Sequence, residues 1–430
     1  KPASAILSGL VGSEMCIRDR PMAIAESSFV THLEGAIDGA QLEPNVIQTL
    51  HEGRPIWVRY DLDAIRESVS RDDLLGRPSN LWRYMELLPI YDQSKIVSFG
   101  EGLSPLLKSP RLGATLGATD LWVKDESQLP TGSFKSRGMA MAVSMANHFG
   151  IKSVALPTAG NAGGAAAAYA ARAGMDCYVF MPADTPVINQ YEAIAYGAHA
   201  YRVNGLINDC GRIVNEGKQV MGWFDLSTLK EPYRIEGKKT MGLELAEQFG
   251  WELPDAIFYP TGGGTGLIGM WKAFQELSEL GWLESEKMPR MFSVQSDGCA
   301  PIVKAFEDEE KHAEPFANAQ SVASGIRVPA AVGDFMILEA VRRSQGAAVS
   351  VEEARIEEWM RLGMAQEGIS ICPETGACIG AVEKCLADGT VNTDDRIVIF
   401  NTGAAQKYSE ALHCEIPSVD KDVPIDWSTL

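Results

Sequence analysis

The sequence predicts an α/β fold built from parallel sheets that are covered by helices. Short apolar segments alternate with helical patterns from about Ser153 onward, which is typical of strand–helix–strand units. Three apolar segments lead into loops of small and polar residues at Thr158, Gly262 and Asn401. Loops of this kind lie outside the carboxyl ends of parallel strands, where ligands bind. The 430 residues are enough for two or three domains.

The predicted elements begin after a less regular region. We expect residues 22–97 to form an N-terminal extension packed on a large domain, and a first helix to start at Met139. Further helical patterns follow the turn at 157–161 and cover Val187–Tyr196, Leu206–Val220 and Leu267–Leu280. The predicted strands are Ser153–Leu156, Cys177–Met181, His199–Val203, Ala256–Tyr259, Met291–Gln295 and Ile397–Phe400.

The charge balance excludes some classes of partner. With 38 basic and 57 acidic residues, the formal net charge is −19, which argues against nucleic-acid or anionic-membrane binding. The eight cysteines have no metal-knuckle spacing, so we expect reduced thiols in a cytoplasmic protein. We find no apolar run long enough to span a bilayer. An anionic substrate would need a local cluster of cations.

The first 21 residues need separate treatment. They resemble a translated adaptor sequence more than a targeting peptide, because the apolar stretch is short and no clear cleavage site follows. We expect residues 1–21 to be a non-native leader and Met22 to be the native start.

The segment Pro130-Thr-Gly-Ser-Phe-Lys-Ser-Arg-Gly138 contains a candidate nucleophile. Lys135 is flanked by small residues at the start of a predicted helix, where backbone amides and the positive helix end lower the pKa of an amine. An amine activated in this way can form a Schiff base with an aldehyde cofactor. The alternative is a solvated lysine at a helix start.

Two further loops contain candidate anion sites. In Pro157-Thr-Ala-Gly-Asn-Ala-Gly-Gly164, backbone amides can bind a carboxylate or phosphate, and Asn161 can hydrogen-bond a phenolic oxygen. The alternative is that Asn161 caps the helix. In Pro260-Thr-Gly-Gly-Gly-Thr-Gly266, glycines let backbone amides approach a phosphate closely. A dinucleotide motif has a different spacing, and a purely structural turn is the remaining alternative.

Together these segments resemble a known superfamily. The order G-S-F-K-S-R-G, T-A-G-N, G-G-G-T-G and a final Thr-Gly pair is similar to the pyridoxal-phosphate (PLP) enzymes that include tryptophan synthase β, threonine synthase and threonine dehydratase. The resemblance spans about Leu103 to Lys407. It implies two domains with open parallel sheets and PLP between them: a small domain, 125–235, and a large domain, 98–124 and 236–430. It also implies a homodimer.

The resemblance assigns roles to individual residues. Lys135 is implied as the catalytic residue that carries PLP, and Asn161 as the partner of the cofactor's phenolic oxygen. The implied phosphate site is Gly262, Gly263, Gly264 and Thr265, and Thr402 faces the pyridine nitrogen. The loop that grips the substrate carboxylate is implied to be Thr158, Ala159, Gly160, Asn161 and Ala162.

Two segments resemble the threonine synthase family in particular. Ile56-Trp-Val-Arg-Tyr-Asp-Leu62 is similar to the extension before its catalytic core, and 231–240 is similar to N-P-x-R-x-E-G-Q-K-T, whose arginine meets the substrate phosphate. This implies a lyase that converts O-phosphohomoserine and water to threonine and phosphate. Arg234 and Ser227, with Lys238 or Lys239, would hold the phosphate. An ion pair of Arg234 with Glu231 or Glu236 is the structural alternative.

The departures from these motifs leave alternatives open. The threonine synthase motifs have a threonine where this chain has Ala162 and an asparagine where it has Gly263, so a side-chain hydroxyl and a side-chain amide are missing. A threonine or serine dehydratase, or a related ammonia-lyase, therefore stays as the alternative. A nucleotide-binding regulatory module is the second alternative. The cysteines of a zinc-ribbon-like element found in many relatives are replaced near Gly35, Asp38 and His51, so we predict no metal.

Overall fold

The computed structural model describes residues 28–412, 416–419, 421–423 and 427. The predicted leader, residues 1–21, lies outside the described residues, as do residues 22–27 of the predicted extension. Within the described ranges, no helix is both long and apolar enough to cross a bilayer.

The N-terminal region forms a small antiparallel sheet that the sequence patterns did not predict. Its strands β1 (Val30–Gly35), β2 (Gln41–Leu42) and β3 (Ile56–Tyr60) have the order β2-β1-β3. Helix α1 (Leu62–Ser68) follows and packs against α8 (Thr265–Leu280) through the buried Ile65. At the turns of this sheet, the ligand atoms of Asp38, His51 and Glu52 lie within 4.8 Å of one another. The absence of a metal there stays a prediction.

A six-stranded sheet forms the largest layer. Its order is β12-β11-β10-β13-β5-β4, with all neighbours parallel except the antiparallel edge pair β4–β5. Its central strands are buried on both faces, as expected for a parallel sheet covered by helices. The strands are β4 (Leu106–Lys108), β5 (Asp120–Asp125), β10 (Ala256–Pro260), β11 (Arg290–Ser296), β12 (Ala348–Val351) and β13 (Arg396–Asn401).

A four-stranded sheet forms the second layer. Its order is β8-β7-β6-β9, and all neighbouring strands are parallel. The strands are β6 (Ser153–Pro157), β7 (Asp176–Pro182), β8 (His199–Val203) and β9 (Phe224–Asp225). The prediction of parallel sheets covered by helices is therefore confirmed.

Helices cover both sheets. The predicted patterns at 187–196, 206–220 and 267–280 correspond to α5 (Val187–Ala195), α6 (Ile207–Met221) and α8. The others are α2 (Pro110–Leu116), α3 (Lys135–His148), α4 (Asn161–Ala173), α7 (Tyr233–Gln248), α9 (Pro301–Glu307), α10 (Asp334–Arg343), α11 (Ile356–Glu367) and α12 (Pro373–Ala387).

Helix α3 begins at Lys135, which corrects the predicted start at Met139. A buried ion cluster explains the difference. Arg137 Nη2 donates to Glu126 Oε1 at 2.8 Å and to Glu244 Oε2 at 2.7 Å. Lys124 Nζ lies 3.1 Å from the same Glu244 oxygen. These contacts tie the first turn of α3 to β5 and α7, and they hold it helical although Gly138 follows.

Candidate functional site

A cavity of about 650 Å³ lies where the carboxyl ends of strands from both large sheets meet. It is lined by the loops after β6, β9 and β10 and by the start of the loop after β13. Thirteen of the residues predicted for the site line this one cavity. They are Lys135, Thr158, Ala159, Gly160, Asn161, Ala162, Ser227, Arg234, Gly262, Gly263, Gly264, Thr265 and Thr402.

Lys135 is the first residue of α3 and faces the cavity. Its Nζ lies 3.8 Å from the centroid of the Phe134 ring. Removal of the amine from water lowers the pKa of Lys135 to about 7, and the nearby Arg234 guanidinium lowers it as well. A substantial fraction of this amine is therefore uncharged and nucleophilic at neutral pH, unlike that of a solvated lysine.

The glycine loop after β10 forms a cradle that side chains would close. A Cβ on Gly262 would lie 2.4 Å from the carbonyl oxygen of Gly325. Gly264 has a φ of +74°, a conformation that favours glycine. Helix α8 begins directly after it, at Thr265, so its positive N-terminal end faces the cavity. The cradle can hold an anion such as a phosphate.

Asn161 is the first residue of α4, and its side chain does not cap the helix. Its Nδ2 donates to the hydroxyl of Tyr408 at 2.9 Å, and its buried Oδ1 has no hydrogen-bond partner. The cap alternative is therefore wrong, and the amide remains available to a ligand. In the same loop, the Thr158 hydroxyl accepts hydrogen bonds from the amides of Gly160 and Gly163, which fixes the turn.

Arg234 lies on the first turn of α7 and is buried at the cavity wall. Its Nη1 donates to the carbonyl oxygen of Leu226 at 2.5 Å, and its buried Nε has no partner. Glu231 accepts hydrogen bonds from the backbone amides of Tyr233 and Arg234 at the start of α7. Burial raises the pKa of Glu231 to about 7. The guanidinium itself therefore keeps donor capacity for an anion.

Of the other predicted phosphate ligands, the serine lines the cavity and the two lysines do not. The Ser227 hydroxyl lines the cavity but donates its proton to Asp225. Lys238 donates to the carbonyl oxygen of Phe134, and Lys239 lies 2.8 Å from Glu236 and from Glu276. Neither lysine lines the cavity, because both side chains are engaged in contacts between α7 and its neighbours.

Thr402 closes the cavity beside Lys135. Its carbonyl oxygen accepts the amide of Phe134 at 3.1 Å, which joins the loop after β13 to the start of α3. Its Oγ1 lies 3.6 Å from the Sγ atom of Cys372. A neutral hydroxyl beside a thiol is suited to hydrogen bonding an uncharged ring nitrogen.

The comparisons with known proteins agree with this site. Residues 97–403 match the family described as pyridoxal-phosphate dependent enzyme. The threonine synthase of Methanocaldococcus jannaschii is 35% identical over 367 residues, which are 85% of this chain and 90% of that protein. The chain belongs to the threonine synthase family of pyridoxal-phosphate-dependent enzymes. The threonine synthase of Methanosarcina acetivorans is 32% identical over 84% of this chain and 88% of that protein.

Solved structures confirm the fold of this threonine synthase family member. A processed threonine deaminase from Solanum lycopersicum has a TM-score of 0.62 at 19% identity, covering 78% of this chain and 95% of that one. A maize serine racemase has a TM-score of 0.61 at 19% identity, covering 70% of this chain and 88% of that one. The predicted PLP-dependent α/β fold is therefore confirmed.

The residues that line the cavity match the phosphate, the phenolic oxygen and the aldehyde of PLP. A phosphate needs close backbone amides, which the Gly262–Gly264 cradle offers because a Cβ there would meet other atoms. A phenolic oxygen needs a donor, and Asn161 Nδ2 carries two hydrogens, of which the bond to Tyr408 uses one. An aldehyde needs an unprotonated amine, and Lys135 has a lowered pKa. These residues would hold the cofactor of the family.

Sequence reasoning missed several residues of this threonine synthase family site. Glu374 and Tyr408 line the cavity, as do Ser324 and Arg327. Arg327 lies 3.0 Å from Asp184, which follows β7, so this ion pair links the two large sheets. The available signal was the long irregular stretch between α9 and α10, because loops of such length are usually functional.

Proposed function

We propose that the protein is a threonine synthase that converts O-phosphohomoserine and water to L-threonine and phosphate by γ-elimination and β-addition. The observation that carries this proposal is that Lys135 and Arg234 open to one cavity, in a chain that shares 35% identity with an archaeal threonine synthase. In this proposal the Lys135 amine transfers protons at the reacting carbons of the substrate. The Arg234 guanidinium binds the leaving phosphate.

Lys135 moves the protons. Bound PLP supplies an aldehyde for amines and a ring that withdraws electrons from the substrate's Cα. The Lys135 amine, with a pKa near 7, can remove the Cα proton and return a proton at neutral pH. Its fixed place at the start of α3, supported by the Arg137 cluster, keeps this base at one side of the substrate.

Arg234 receives the leaving phosphate. Its buried Nε has no partner, and a guanidinium binds phosphate oxygens in pairs. Lys230 and Arg327 also line the cavity, but Lys230 lies 3.9 Å from Asp225 and Arg327 lies 3.0 Å from Asp184. Arg234 is therefore the main cation for a dianionic substrate in a protein of net charge −19. A Cβ on Gly263 would lie 2.7 Å from the Cγ2 methyl of Thr228 and 3.8 Å from its hydroxyl oxygen. The Thr228 methyl thus occupies the space that a side chain at position 263 would need.

The loop Thr158–Ala162 holds the substrate carboxylate in this proposal. The hydrogen bonds between Thr158 and the amides of Gly160 and Gly163 fix the loop at the N-terminal end of α4. That end favours a carboxylate because its amides and helix dipole are positive.

An amino-acid ammonia-lyase is the second candidate, specifically a threonine or serine dehydratase. The glycine-rich cradle and the missing hydroxyl at Ala162 favour it. It needs Lys135 but no site for a leaving phosphate, so it gives the unpartnered Nε of the buried Arg234 no ligand.

The test is to incubate PLP-loaded protein separately with O-phosphohomoserine, threonine and serine. We expect threonine and phosphate in equal amounts from the first, and little ammonia or 2-oxo acid from the others. Ammonia and 2-oxo acid alone would establish the ammonia-lyase and overturn our proposal. A Lys135→Ala variant is the control for activity from contaminants.

The setting of this activity is also proposed. We propose a cytoplasmic homodimer; free buried thiols at Cys177, Cys210 and Cys372 support a reducing compartment. We propose a small domain at 125–235 and a large domain at 98–124 and 236–430. In support, strands β6 to β9 lie within the first range, and β10 to β13 lie within the last.

A further inference from the structure

The loop after β13 places an unpredicted phenol against the amide assigned to the cofactor. Tyr408 is 4% exposed, and its hydroxyl accepts a hydrogen bond from Asn161 Nδ2 at 2.9 Å. The two residues are 247 positions apart in the chain, and they follow strands of different sheets, β6 and β13. A Cβ on Gly403 would lie 3.1 Å from the same nitrogen, so the absence of a side chain there gives the amide its space.

The position of Tyr408 is held by its neighbours. Lys407 Nζ donates to the carbonyl oxygen of Thr131 at 2.7 Å and lies 2.6 Å from Glu192 Oε2 on α5. The Ala405 amide donates to the Ser370 hydroxyl at 2.9 Å. These contacts anchor the segment to α5, to the turn before α3 and to the loop between α11 and α12. The phenol is therefore a fixed acceptor.

The phenol stays protonated in this environment. Burial raises the pKa of Tyr408 well above its usual value, and the Glu374 carboxylate raises it further. Glu374 Oε1 accepts the amide of Gly325 at 2.7 Å, and its buried Oε2 has no partner. The hydroxyl can thus accept from Asn161 while its own proton is attracted toward Glu374.

We propose that Tyr408 is a positioning residue that fixes the Asn161 amide so that its second N–H faces the cofactor's phenolic oxygen. An amide nitrogen carries two hydrogens. Tyr408 accepts one, which leaves the other for the ligand and prevents the amide from turning its oxygen toward it. This inference rests on the role given to Asn161 in the proposed function.

The test measures PLP binding to apoprotein by visible absorbance, in a double-mutant cycle of Tyr408→Phe and Asn161→Ala. Loss of one hydrogen bond is expected to weaken PLP binding about five- to tenfold in Tyr408→Phe and to shift the absorption maximum. In the Asn161→Ala background, Tyr408→Phe should change neither further. Independent, multiplicative effects would overturn the proposal, as would unchanged binding in Tyr408→Phe.

Two further variants separate positioning from general stability. Tyr169→Phe removes another buried hydroxyl, bonded to Glu101 at 2.6 Å and outside the cavity, and should leave the PLP spectrum unchanged. Tyr408→His offers a ring nitrogen as acceptor and should recover part of the affinity, even if Tyr408→Phe fails to fold. A loss in Tyr408→His as large as in Asn161→Ala would contradict the proposal. Wild-type protein that binds no PLP would instead contradict the proposed function.

Discussion

The amines of Lys135 and Lys238 lie against the same aromatic ring, 3.8 Å and 4.0 Å from the centroid of Phe134. Two ammonium groups so placed repel each other, and both amines are removed from water. Burial lowers the pKa of Lys238 well below its usual value, and the positive charges of Lys135 and Arg234 lower it further. For Lys135 the largest cause of the lowered pKa is burial, and the second is the Arg234 guanidinium.

This relationship predicts how Lys135 responds to its neighbours. The rate at which apoprotein takes up PLP should rise with pH through a midpoint near pH 7 and then level off, because only the free amine reacts and the pKa of Lys135 is about 7. Arg234→Gln removes a nearby positive charge, so the midpoint should move to higher pH. Lys238→Gln is the matched control and should move it little. A wild-type midpoint near that of a solvated lysine would contradict this account.

Removal of Arg137 should destabilise the protein strongly. Arg137→Met leaves Glu126 and Glu244 buried without their main partner, at a cost of about 3–5 kcal/mol in the free energy of unfolding. Arg355→Met is the control, because Arg355 also contacts two carboxylates but lies at the surface, where about 0–1 kcal/mol is expected. Urea unfolding of the apoproteins measures both. Equal losses in the free energy of unfolding would mean that the buried Arg137 cluster contributes no more to stability than the surface ion pairs of Arg355.

The cradle should not tolerate a side chain at Gly262. In Gly262→Ala the new Cβ would meet the Gly325 carbonyl oxygen at 2.4 Å, which forces the two loops apart. We expect a loss of about 1–3 kcal/mol in stability from the overpacking, together with loss of PLP retention on gel filtration. Gly211→Ala, on the cavity side of α6, has only a contact at 3.9 Å and should be neutral or slightly stabilising. Normal PLP retention in Gly262→Ala would refute the cradle.

Arg234 should govern recognition of the phosphate. Arg234→Ala should lower kcat/KM for O-phosphohomoserine about 10- to 150-fold, the loss of one or two charge-assisted hydrogen bonds, without reducing PLP content. Arg212→Ala is the control, since Arg212 also lines the cavity but pairs with Glu216 at the surface. Steady-state assays with both variants compare the two. An equal effect in both would show that general positive charge, not Arg234, binds the substrate.

The sequence could predict those parts of the site that follow directly from the order of strands and loops along the chain. Thr158 and Gly262 each follow a buried strand, and the carboxyl ends of parallel strands converge, so their meeting required only the fold class. Lys135 was found from its flanking small residues. By contrast, Tyr408 contacts Asn161 across 247 positions, and the Gly325 carbonyl that limits the cradle comes from an irregular stretch. Neither contact follows from periodicity or spacing.

The central claim is tested most directly by the reaction of O-phosphohomoserine in water enriched in ¹⁸O, with mass spectrometry of both products. Elimination followed by water addition predicts equal amounts of threonine and phosphate, with ¹⁸O in the threonine hydroxyl and none in the phosphate. Labelled phosphate accompanied by homoserine would mean simple ester hydrolysis, and would contradict the proposed roles of Lys135 and Arg234.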